Sequence, residues 1–350
     1  MNTHPFLHGL RSTPDFLLQN YDLANRRALV LRVNETVYRE ASFLDDRIFN
    51  PQMEGFWLPL ESVLQATSLL TPGKPHYIFH VGHCGSTLIS RLLAELPNCL
   101  PLREPMSLLT LAVARRELDH ASSWVTTSQW NQLLQTAISS LARTYRTSDR
   151  SLIKVTSNAG NLLDIMSATF DGNSRILMMY ISLESLLAAM LRTQDLRASI
   201  HAYSPAWITD FCRLTGRDDV RLADLDDAQQ ITVKWLTLLM LFMQTQTAKP
   251  GQTRMLNFED FLMHPEEQFM NIAKLFELES HPDKARQLVN GPLMQTYSKI
   301  PTQNYNPTQR SSELQDARQK FQLEIRAGLE WAETLCRNTP ALAPVAAYLG

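Results

Sequence analysis

The sequence predicts an α/β protein in which helices flank a parallel β-sheet. Four short apolar segments, residues 77–81, 151–155, 175–180 and 254–258, have the composition of buried strands, and helical spacing follows each of them. This alternation is typical of a parallel sheet, because parallel strands need long crossover connections, which helices supply. The third segment is nearly all apolar, as an interior strand of such a sheet requires.

The segment before the first of these strands predicts a small N-terminal extension. Residues 28–33 are typical of a strand, residues 35–49 have helical spacing behind Asn34 as N-cap, and residues 61–70 predict a short helix. Residues 71–75, Thr-Pro-Gly-Lys-Pro, give the clearest boundary signal in the chain. We therefore expect an extension over residues 1–71 that covers one edge or face of a main domain over residues 72–350.

The rest of the chain supplies the connections between the predicted strands. Residues 97–105 predict a loop, residues 203–222 a helix with a loop, and residues 304–312 another polar loop. Further helices are expected over residues 88–93, 106–118, 129–146, 158–170, 183–192, 226–247, 259–278 with a break near 264, and 313–336.

Composition and charge argue against several classes of protein. A net charge of −2 gives no electrostatic drive toward nucleic acid or an anionic membrane. The longest apolar run, residues 235–243, is too short to span a bilayer, and no apolar signal-peptide core occurs near residue 1. The four cysteines are scattered, which favours a reducing cytoplasm over a disulfide framework. No metal is expected, because His80, His83 and Cys84 have no carboxylate nearby and alternate strand residues face opposite sides.

Residues 82–87, Gly-His-Cys-Gly-Ser-Thr, form a tight loop between the first predicted strand of the main sheet and its helix. A strand, a glycine-rich turn and a helix in this order make an anion cradle, because a helix N-terminus carries unpaired N–H groups and a positive dipole end. Gly82 and Gly85 let the backbone approach the anion, and Ser86 and Thr87 can cap the helix or bind an oxyanion. An ordinary turn that binds nothing is the alternative.

Three polar side chains near this loop are candidates for chemistry, because ligands of parallel sheets lie beyond the carboxyl ends of the strands. Lys154 either neutralises charge on a transferring group or reaches water from an edge strand. Glu104 is either a general base or a surface partner of Arg103 or of a helix N-terminus. His83 gives a donor when neutral and a charge when an anion raises its pKa, and it can protonate a departing oxygen; otherwise it packs under the loop.

Residues 83–89, His-Cys-Gly-Ser-Thr-Leu-Ile, resemble the 5′-phosphosulfate loop of the sulfotransferase family, Arg/Lys-Ser-Gly-Thr/Ser-Thr/Ser-Leu-Leu after a hydrophobic strand. His83 stands where the family has Arg or Lys, and Cys84 stands where it has Ser. The nucleotide-triphosphatase P-loop, G-x-x-x-x-G-K-S/T, does not fit, because Gly82 and Gly85 are too close and no Lys precedes Ser86. The resemblance implies a P-loop-like sulfotransferase fold whose residues 82–87 hold the donor PAPS (3′-phosphoadenosine 5′-phosphosulfate).

Three further segments extend the resemblance. Residues 154–158, Lys-Val-Thr-Ser-Asn, are similar to the family's K-T-P-x-N segment after the second strand. Residues 97–105 are similar to the segment that carries the acceptor base in bacterial-type and tyrosylprotein sulfotransferases, with Glu104 at the matching place. Residues 256–266 and 275–278 resemble the late Y-E-D-L…P-E segment and its continuation. Order and spacing hold from about residue 77 to residue 278.

One segment departs from the family pattern. The third strand of the family usually ends in R-D-P, with a Ser eight residues after the Arg, and that pair binds the 3′-phosphate of PAPS. Here residues 181–183, Ile-Ser-Leu, occupy the first place and Ala189 the second. Arg192, one helical turn beyond Ala189, together with Lys299 and Arg310 in the late part of the chain, are the candidate substitutes. For each of the three, a solvated cation is the alternative.

The leading hypothesis is a PAPS-dependent sulfotransferase that moves a sulfuryl group to a hydroxyl or amine acceptor, chiefly by positioning and charge stabilisation. His83, Glu104 and Lys154 are its predicted catalytic residues, and no metal is required because the leaving group is already a phosphate. One alternative is a binding or interaction protein that kept the fold and lost the donor. A kinase-like phosphotransferase is the third, disfavoured because no P-loop Lys is present.

The acceptor is expected to be a small molecule or a carbohydrate. Its pocket should come from residues 106–146 and 196–222, which contain side chains able to stack on a ring or to fill the core. These are Trp124, Trp130, Tyr203 and Trp207. The oligomeric state is left open, with a homodimer as one option.

Overall fold

A computed structural model describes residues 4–70, 73, 75–169, 174–299 and 306–349 of the chain. Eight strands within these residues form two separate sheets. The strands are β1 Phe16–Asp22, β2 Arg27–Arg32, β3 Gly55–Pro59, β4 His76–His80, β5 Cys99–Arg103, β6 Arg150–Lys154, β7 Ile176–Tyr180 and β8 Thr253–Asn257.

Helices connect and cover these strands. The α-helices are α1 Pro5–Ser12, α2 Glu35–Glu40, α3 Leu60–Thr67, α4 Ser86–Ala94, α5 Met106–Arg116, α6 Thr127–Leu141, α7 Leu163–Thr169, α8 Leu183–Leu191, α9 Gln194–Thr215, α10 Asp227–Ala248, α11 Phe258–Met263, α12 Pro265–Leu275, α13 Pro282–Val289, α14 Pro307–Lys320 and α15 Gln322–Asn338. Short 3₁₀ helices occur at Asp46–Ile48, Ser157–Leu162, Leu222–Asp224, Pro292–Gln295 and Pro340–Tyr348. No described helix combines the length and the hydropathy that crossing a bilayer requires.

The main sheet has the order β5-β6-β4-β7-β8, and all its neighbouring strands run parallel. The predicted α/β class with a parallel sheet flanked by helices is therefore confirmed. After β4 the chain builds β5 and β6 on one side and then crosses to build β7 and β8 on the other. Such a reversal opens a crevice beyond the carboxyl end of the strand at the switch. The loop over residues 81–85 lies at this place, between β4 and α4.

Helix α10 is the most buried of the long helices in the described part of the chain. Asp226 and Gln229 form a capping box at its start, where sequence analysis predicted the helix to open. Its sides pack against α8, α9 and α15, so apolar residues occupy nearly its whole circumference. Polar residues inside it, among them Lys234, are therefore enclosed by protein.

The N-terminal extension is a small antiparallel sheet, β1-β2-β3, with α1 and α3 packed beside it. The Tyr21 hydroxyl donates to the Leu133 carbonyl at 3.0 Å, and the buried Arg103 guanidinium donates to the carbonyls of Arg39 and Ala41 at 3.0 and 2.8 Å. The extension is thus bound to α6 and to edge strand β5. Thr71, Pro72 and Lys74 of the predicted boundary lie outside the described residues, so the boundary itself stays a prediction.

Strand β5 corrects the prediction of a loop over residues 97–105. Prolines at 97, 101 and 105 favour a loop, and Pro101 lies inside the strand. Because β5 is at the edge of the sheet, one side of its backbone needs no ladder partner, and a proline is tolerated there. The main sheet therefore has five strands instead of the predicted four. In the extension, β1 and β3 were also missed, and β2 is the predicted strand at residues 28–33.

The helix predicted over residues 35–49 and the loop predicted over residues 304–312 were wrong in extent, whereas the helix with a loop predicted over residues 203–222 is confirmed. The helix expected over residues 35–49 ends at Glu40, where the chain turns to contact β5. The mixed segment at 203–222 is largely α9, which continues through Pro205 to a left-handed C-cap at Gly216. Helix α14 begins at Pro307, inside the predicted loop at 304–312, since Asn306 caps it and proline suits a first turn. Residues 304 and 305 lie outside the described residues.

Candidate functional site

The loop after β4 is held in a left-handed conformation that suits an anion. Gly82, His83 and Gly85 have φ values of 93°, 52° and 68°. A Cβ at Gly85 would lie 2.1 Å from the ring of Phe258, so this position needs glycine for both conformation and space. Gly85 is the N-cap of α4, and no side chain hydrogen-bonds across that cap. The first turn of α4 therefore presents N–H groups and a positive dipole end toward the loop.

A cavity of about 330 Å³ lies over this loop. It is lined by every residue that sequence analysis placed in the site, namely Gly82, His83, Cys84, Gly85, Ser86, Thr87, Glu104, Lys154, Arg192, Lys299 and Arg310. Residues more than 200 positions apart in the chain thus meet in one place. Their individual roles remain predictions.

Lys154 and Glu104 form an ion pair at the floor of the cavity. Lys154 is the last residue of β6 and is 1% exposed, and its Nζ donates to Glu104 Oε1. Burial lowers the pKa of Lys154, and the Glu104 carboxylate partly opposes that effect. The edge-strand alternative for Lys154 is wrong, because β6 lies between β5 and β4. The proposed pair of Glu104 with Arg103 is also wrong, because Arg103 donates to Ser90 Oγ and to main-chain carbonyls instead.

His80, the last residue of β4, completes this group, and sequence analysis considered it only as a metal ligand. Its Nδ1 accepts from the N–H of Gly82 at 3.1 Å, so a neutral ring carries its proton on Nε2. That Nε2 lies 3.8 Å from Glu104 Oε1. Burial, with Lys154 and Lys234 nearby, lowers the pKa of His80 well below its ordinary value. A neutral Nε2–H therefore faces the carboxylate. Among the described residues, no cluster of three or more His, Cys, Asp or Glu could hold a metal ion.

Lys234 of α10 also lines the cavity, and it was not predicted from the sequence. It is 4% exposed, and its Nζ donates to Ser157 Oγ at 3.1 Å and lies 4.7 Å from the ring centroid of Trp207. Burial and the charge of Lys299 lower its pKa to about 8. The only advance signal was a lysine in the middle of an apolar helical run.

His83 and Cys84 face different directions within the loop. Burial, then the charges of Lys299 and Lys234, lower the pKa of His83, so its ring is neutral at pH 7 when no anion is near. The Cys84 thiol donates to the Met179 carbonyl at 3.5 Å on β7, inside the core. Burial raises the pKa of this thiol to about 11. Cys84 can therefore serve a ligand through its backbone and not as a thiolate.

The three candidate substitutes for the missing 3′-phosphate ligands line the same cavity. Ala189 and Arg192 both line it, as their helical spacing predicted. Arg192 is hydrogen-bonded to Glu313 of α14, and the Arg310 guanidinium lies 5.3 Å from the ring centroid of Phe258. Burial lowers the pKa of Lys299. Helix α14 thus contacts helix α8 and contributes Arg310 to the cavity lining.

The N-terminal extension contributes part of the cavity wall. The sequence predicted only that it covers an edge or face of the main domain. Phe43 and Arg47 line the cavity beside Lys154 and Glu104. The Arg47 guanidinium lies 3.6 Å from the ring centroid of Phe43 and is hydrogen-bonded to Asp45. The Lys154 Nζ lies 5.6 Å from the same ring. The extension therefore belongs to the site as well as to the fold.

Of the predicted aromatic residues, Tyr203 and Trp207 line the cavity and stack on each other at 6.5 Å. Trp130 is a core residue whose Nε1 donates to the Leu111 carbonyl, and Trp124 is 67% exposed away from the cavity. The segment over residues 196–222 thus contributes to the wall, whereas no described lining residue comes from residues 106–146.

Charge in the cavity is strongly one-sided. Its described lining residues include six lysines and arginines but only one carboxylate, that of Glu104. The cations are Arg47, Lys154, Arg192, Lys234, Lys299 and Arg310. Cations gathered in a partly enclosed space create a positive potential although Arg47 and Arg192 are paired with Asp45 and Glu313, which do not line the cavity, so the cavity is suited to an anionic ligand.

Comparison with known proteins gave matches in structure alone. No protein-family model matches the chain, and no curated protein matches it in sequence. A sulfotransferase domain from the curacin biosynthetic pathway is 12% identical, with a TM-score of 0.41, over 71% of this chain and 98% of that one. A sulfotransferase from Mycobacterium tuberculosis is 14% identical, with a TM-score of 0.42, over 75% and 82%.

A retinol dehydratase, solved with androsterone and the inactive cofactor PAP, is 10% identical to the chain, with a TM-score of 0.36, over 94% of each chain. By structure, therefore, the chain is similar to a set of solved sulfotransferases and to this retinol dehydratase.

Proposed function

We propose that the protein is a sulfotransferase-like enzyme that moves a sulfuryl group from PAPS to a hydroxyl or amine acceptor. The observation that carries this proposal is the buried Lys154–Glu104 pair in a cation-rich cavity beside the uncapped start of α4. The helix start and the cations suit the phosphosulfate, and the single carboxylate suits an acceptor that must lose a proton.

In the proposed reaction, the acceptor oxygen or nitrogen forms a bond to sulfur while the bond between sulfur and the bridging phosphate oxygen breaks. The electron pair of the broken bond stays on the phosphate, and Glu104 takes the acceptor proton. Once protonated, Glu104 no longer neutralises Lys154, so the ammonium charge becomes available to the departing oxygen. Proton removal and leaving-group stabilisation are thereby coupled through one ion pair.

The remaining lining residues take the roles that hold the donor. Gly82, Gly85, Ser86 and Thr87 would bind the 5′-phosphosulfate, and Cys84 would contribute its backbone. A neutral His83 would donate to the anion, whose charge would then raise the pKa of the ring and let it protonate the departing oxygen. For the 3′-phosphate, Arg192, Lys299 and Arg310 would replace the missing pair. Their common place on the cavity supports this assignment.

For the acceptor we propose a small molecule or a carbohydrate that stacks on Tyr203 or packs against Phe43. Both rings face the cavity from opposite parts of the chain. A cytoplasmic location and a homodimer stay predictions; all four cysteines are free thiols, which suits a reducing compartment.

The second candidate, a non-catalytic binding protein with this fold, is favoured by one observation. Both residues that would bind the 3′-phosphate in the family pattern are absent, with Ile-Ser-Leu at 181–183 and Ala189 in their places. Such a protein would have kept the fold and lost PAPS, so it would neither bind nor turn over the donor. The kinase-like alternative would instead require ATP and Mg²⁺.

Turnover of PAPS tests the proposal. Purified protein is incubated with PAPS and a panel of phenols, sterols, amines and sugars, and release of adenosine 3′,5′-bisphosphate is followed chromatographically. We expect Glu104→Gln to lower kcat by a factor of about 10²–10⁴, as loss of a general base does, and to bind the bisphosphate as wild type does. Glu117→Gln, at an exposed carboxylate, is the control. Absence of both turnover and bisphosphate binding would favour the non-catalytic candidate, and binding without turnover across the panel would contradict transfer to these acceptor classes. Equal activity of Glu104→Gln would refute the base assignment.

A further inference from the structure

Lys234 is a buried cation whose nearest contacts are uncharged, and Glu104 acts on it only from beyond salt-bridge distance. Its Nζ has Ser157 Oγ at 3.1 Å and the ring of Trp207 at 4.7 Å as neighbours. Within the described part of the chain, no carboxylate lies within salt-bridge distance of it; Lys154, by contrast, has Glu104. A buried ammonium held by a neutral hydroxyl and an aromatic ring is costly to keep, unless something outside the protein neutralises it.

The amine also lies directly against the anion loop. A Cβ at Gly82 would be 3.4 Å from Lys234 Nζ and 3.4 Å from Ser157 Oγ. Helix α10 therefore places the Lys234 ammonium against Gly82, where no side chain covers the loop backbone. The loop itself carries His83, which is neutral at pH 7 in the protein alone, so it brings no permanent charge of its own. Helix α10 thus places a positive charge beside the start of the cradle.

We propose that Lys234 is a catalytic residue that binds the oxygens of the transferring sulfuryl group, supplying from helix α10 the cation that the loop lacks. This inference rests on the proposed function, since it names a contact within the same donor site. Lys234 changes no covalent bond: as the bond between sulfur and the phosphate oxygen breaks, its ammonium stabilises the charge on the sulfuryl oxygens.

The charge state of Lys234 makes the proposal testable by pH. With a pKa of about 8, the Lys234 amine of the protein without ligand is mostly protonated at pH 7 and mostly neutral at pH 9. Binding of an anion that needs this charge should therefore weaken as the pH rises from 7 to 9. The other titratable or charged groups that face it are Lys299, Cys84, Glu104, His80, His83 and Lys154. Variants that change only residue 234 separate the titration of Lys234 from that of these other groups.

Calorimetry with PAPS and with adenosine 3′,5′-bisphosphate, without an acceptor, tests the contact. We expect Lys234→Gln to weaken PAPS at pH 7 by at least tenfold and the bisphosphate, which lacks the sulfuryl group, by less than threefold. Lys234→Arg should keep PAPS binding and make it constant between pH 7 and 9. Lys274→Gln, at an exposed lysine of α12, should match wild type. Equal weakening of both nucleotides, or none, would overturn the proposal.

Thermal unfolding of Lys234→Met without ligand supplies an independent arm. Because the substitution removes an unneutralised buried charge and keeps an unbranched side chain, the variant should melt at a higher temperature than wild type while losing PAPS affinity. A lower melting temperature would mean that the amine serves folding, against the proposal. If wild type bound neither nucleotide, the proposed function would fail and this contact with it; if wild type bound both and Lys234→Gln bound PAPS equally well, the contact alone would fail.

Discussion

The ion pair between Lys154 and Glu104 predicts a large loss of stability in Glu104→Gln. Without the carboxylate, Lys154 either stays charged in a site where it is 1% exposed or releases its proton. Breaking a buried pair in the first way costs about 3–5 kcal/mol. Releasing the proton from an amine of ordinary pKa 10.5 costs about 4 kcal/mol at pH 7.5. Since the glutamine oxygen still accepts a hydrogen bond, we expect a loss of about 3 kcal/mol in the free energy of unfolding.

The pH dependence of this loss has a definite sign. In Glu104→Gln nothing opposes the effect of burial, so the pKa of Lys154 falls further below 10.5. A base whose pKa is lowered by folding binds fewer protons in the folded state than in the unfolded one, and stability then rises with pH up to the ordinary pKa. The difference between variant and wild type should therefore shrink between pH 7 and 9, by at most about 1.4 kcal/mol per pH unit.

Urea unfolding followed by tryptophan fluorescence measures both effects. The matched control is Glu61→Gln, which breaks the exposed pair with Arg26 and should leave the free energy of unfolding unchanged within error. If Glu104→Gln were as stable as Glu61→Gln, or if its deficit were the same at pH 7 and pH 9, Lys154 would not depend on Glu104 and the coupling between proton removal and leaving-group stabilisation would be wrong.

Three further predictions concern the loop and the cavity wall. Gly85→Ala should lower the free energy of unfolding by about 3 kcal/mol and abolish nucleotide binding, because φ is positive there and a Cβ would overlap Phe258; Gly251→Ala, where no atom lies within 4 Å, is its control in urea unfolding. The Cys84 thiol is buried and its pKa is raised to about 11, so it should resist iodoacetamide at pH 8 in the folded protein, whereas Cys212 should be alkylated first. Mass spectrometry of tryptic peptides measures the order of labelling, and early labelling of Cys84 would contradict its placement. Phe43→Ala should raise KM for the acceptor and leave the affinity for adenosine 3′,5′-bisphosphate unchanged, and the reverse pattern would place the extension at the donor instead.

Features that depend on neighbours in sequence were predictable. The cradle over residues 82–87 is local, because a strand, two glycines and a helix start within eleven residues define it. The alternation of strands and helices predicted the parallel sheet, and the end of β4 predicted the place where polar site residues lie. Strand β5 was missed because three prolines predict a loop, and only its place at the sheet edge, a tertiary fact, makes Pro101 acceptable.

Features that depend on distant packing were not predictable. Lys234 reaches the loop only because α10 is buried between α8, α9 and α15, and nothing in a helical pattern says which enclosed lysine faces a loop about 150 residues earlier. Phe43 and Arg47 reach the cavity because the chain after α2 contacts β5 through Leu44 and Arg103. His80 carried a usable signal: a histidine that ends the central strand, two residues before a glycine, lies at the carboxyl edge where ligands bind.

The central claim, that this cavity binds a sulfated or phosphorylated nucleotide donor, is tested most directly by calorimetry with adenosine 3′,5′-bisphosphate beside adenosine 5′-phosphate. We expect wild type to prefer the bisphosphate at least tenfold, and Lys299→Ala or Arg192→Ala to reduce that preference, because we propose that these cations replace the absent 3′-phosphate ligands. Binding of neither nucleotide would contradict the account and leave a sulfotransferase-like fold whose cavity serves a different anion.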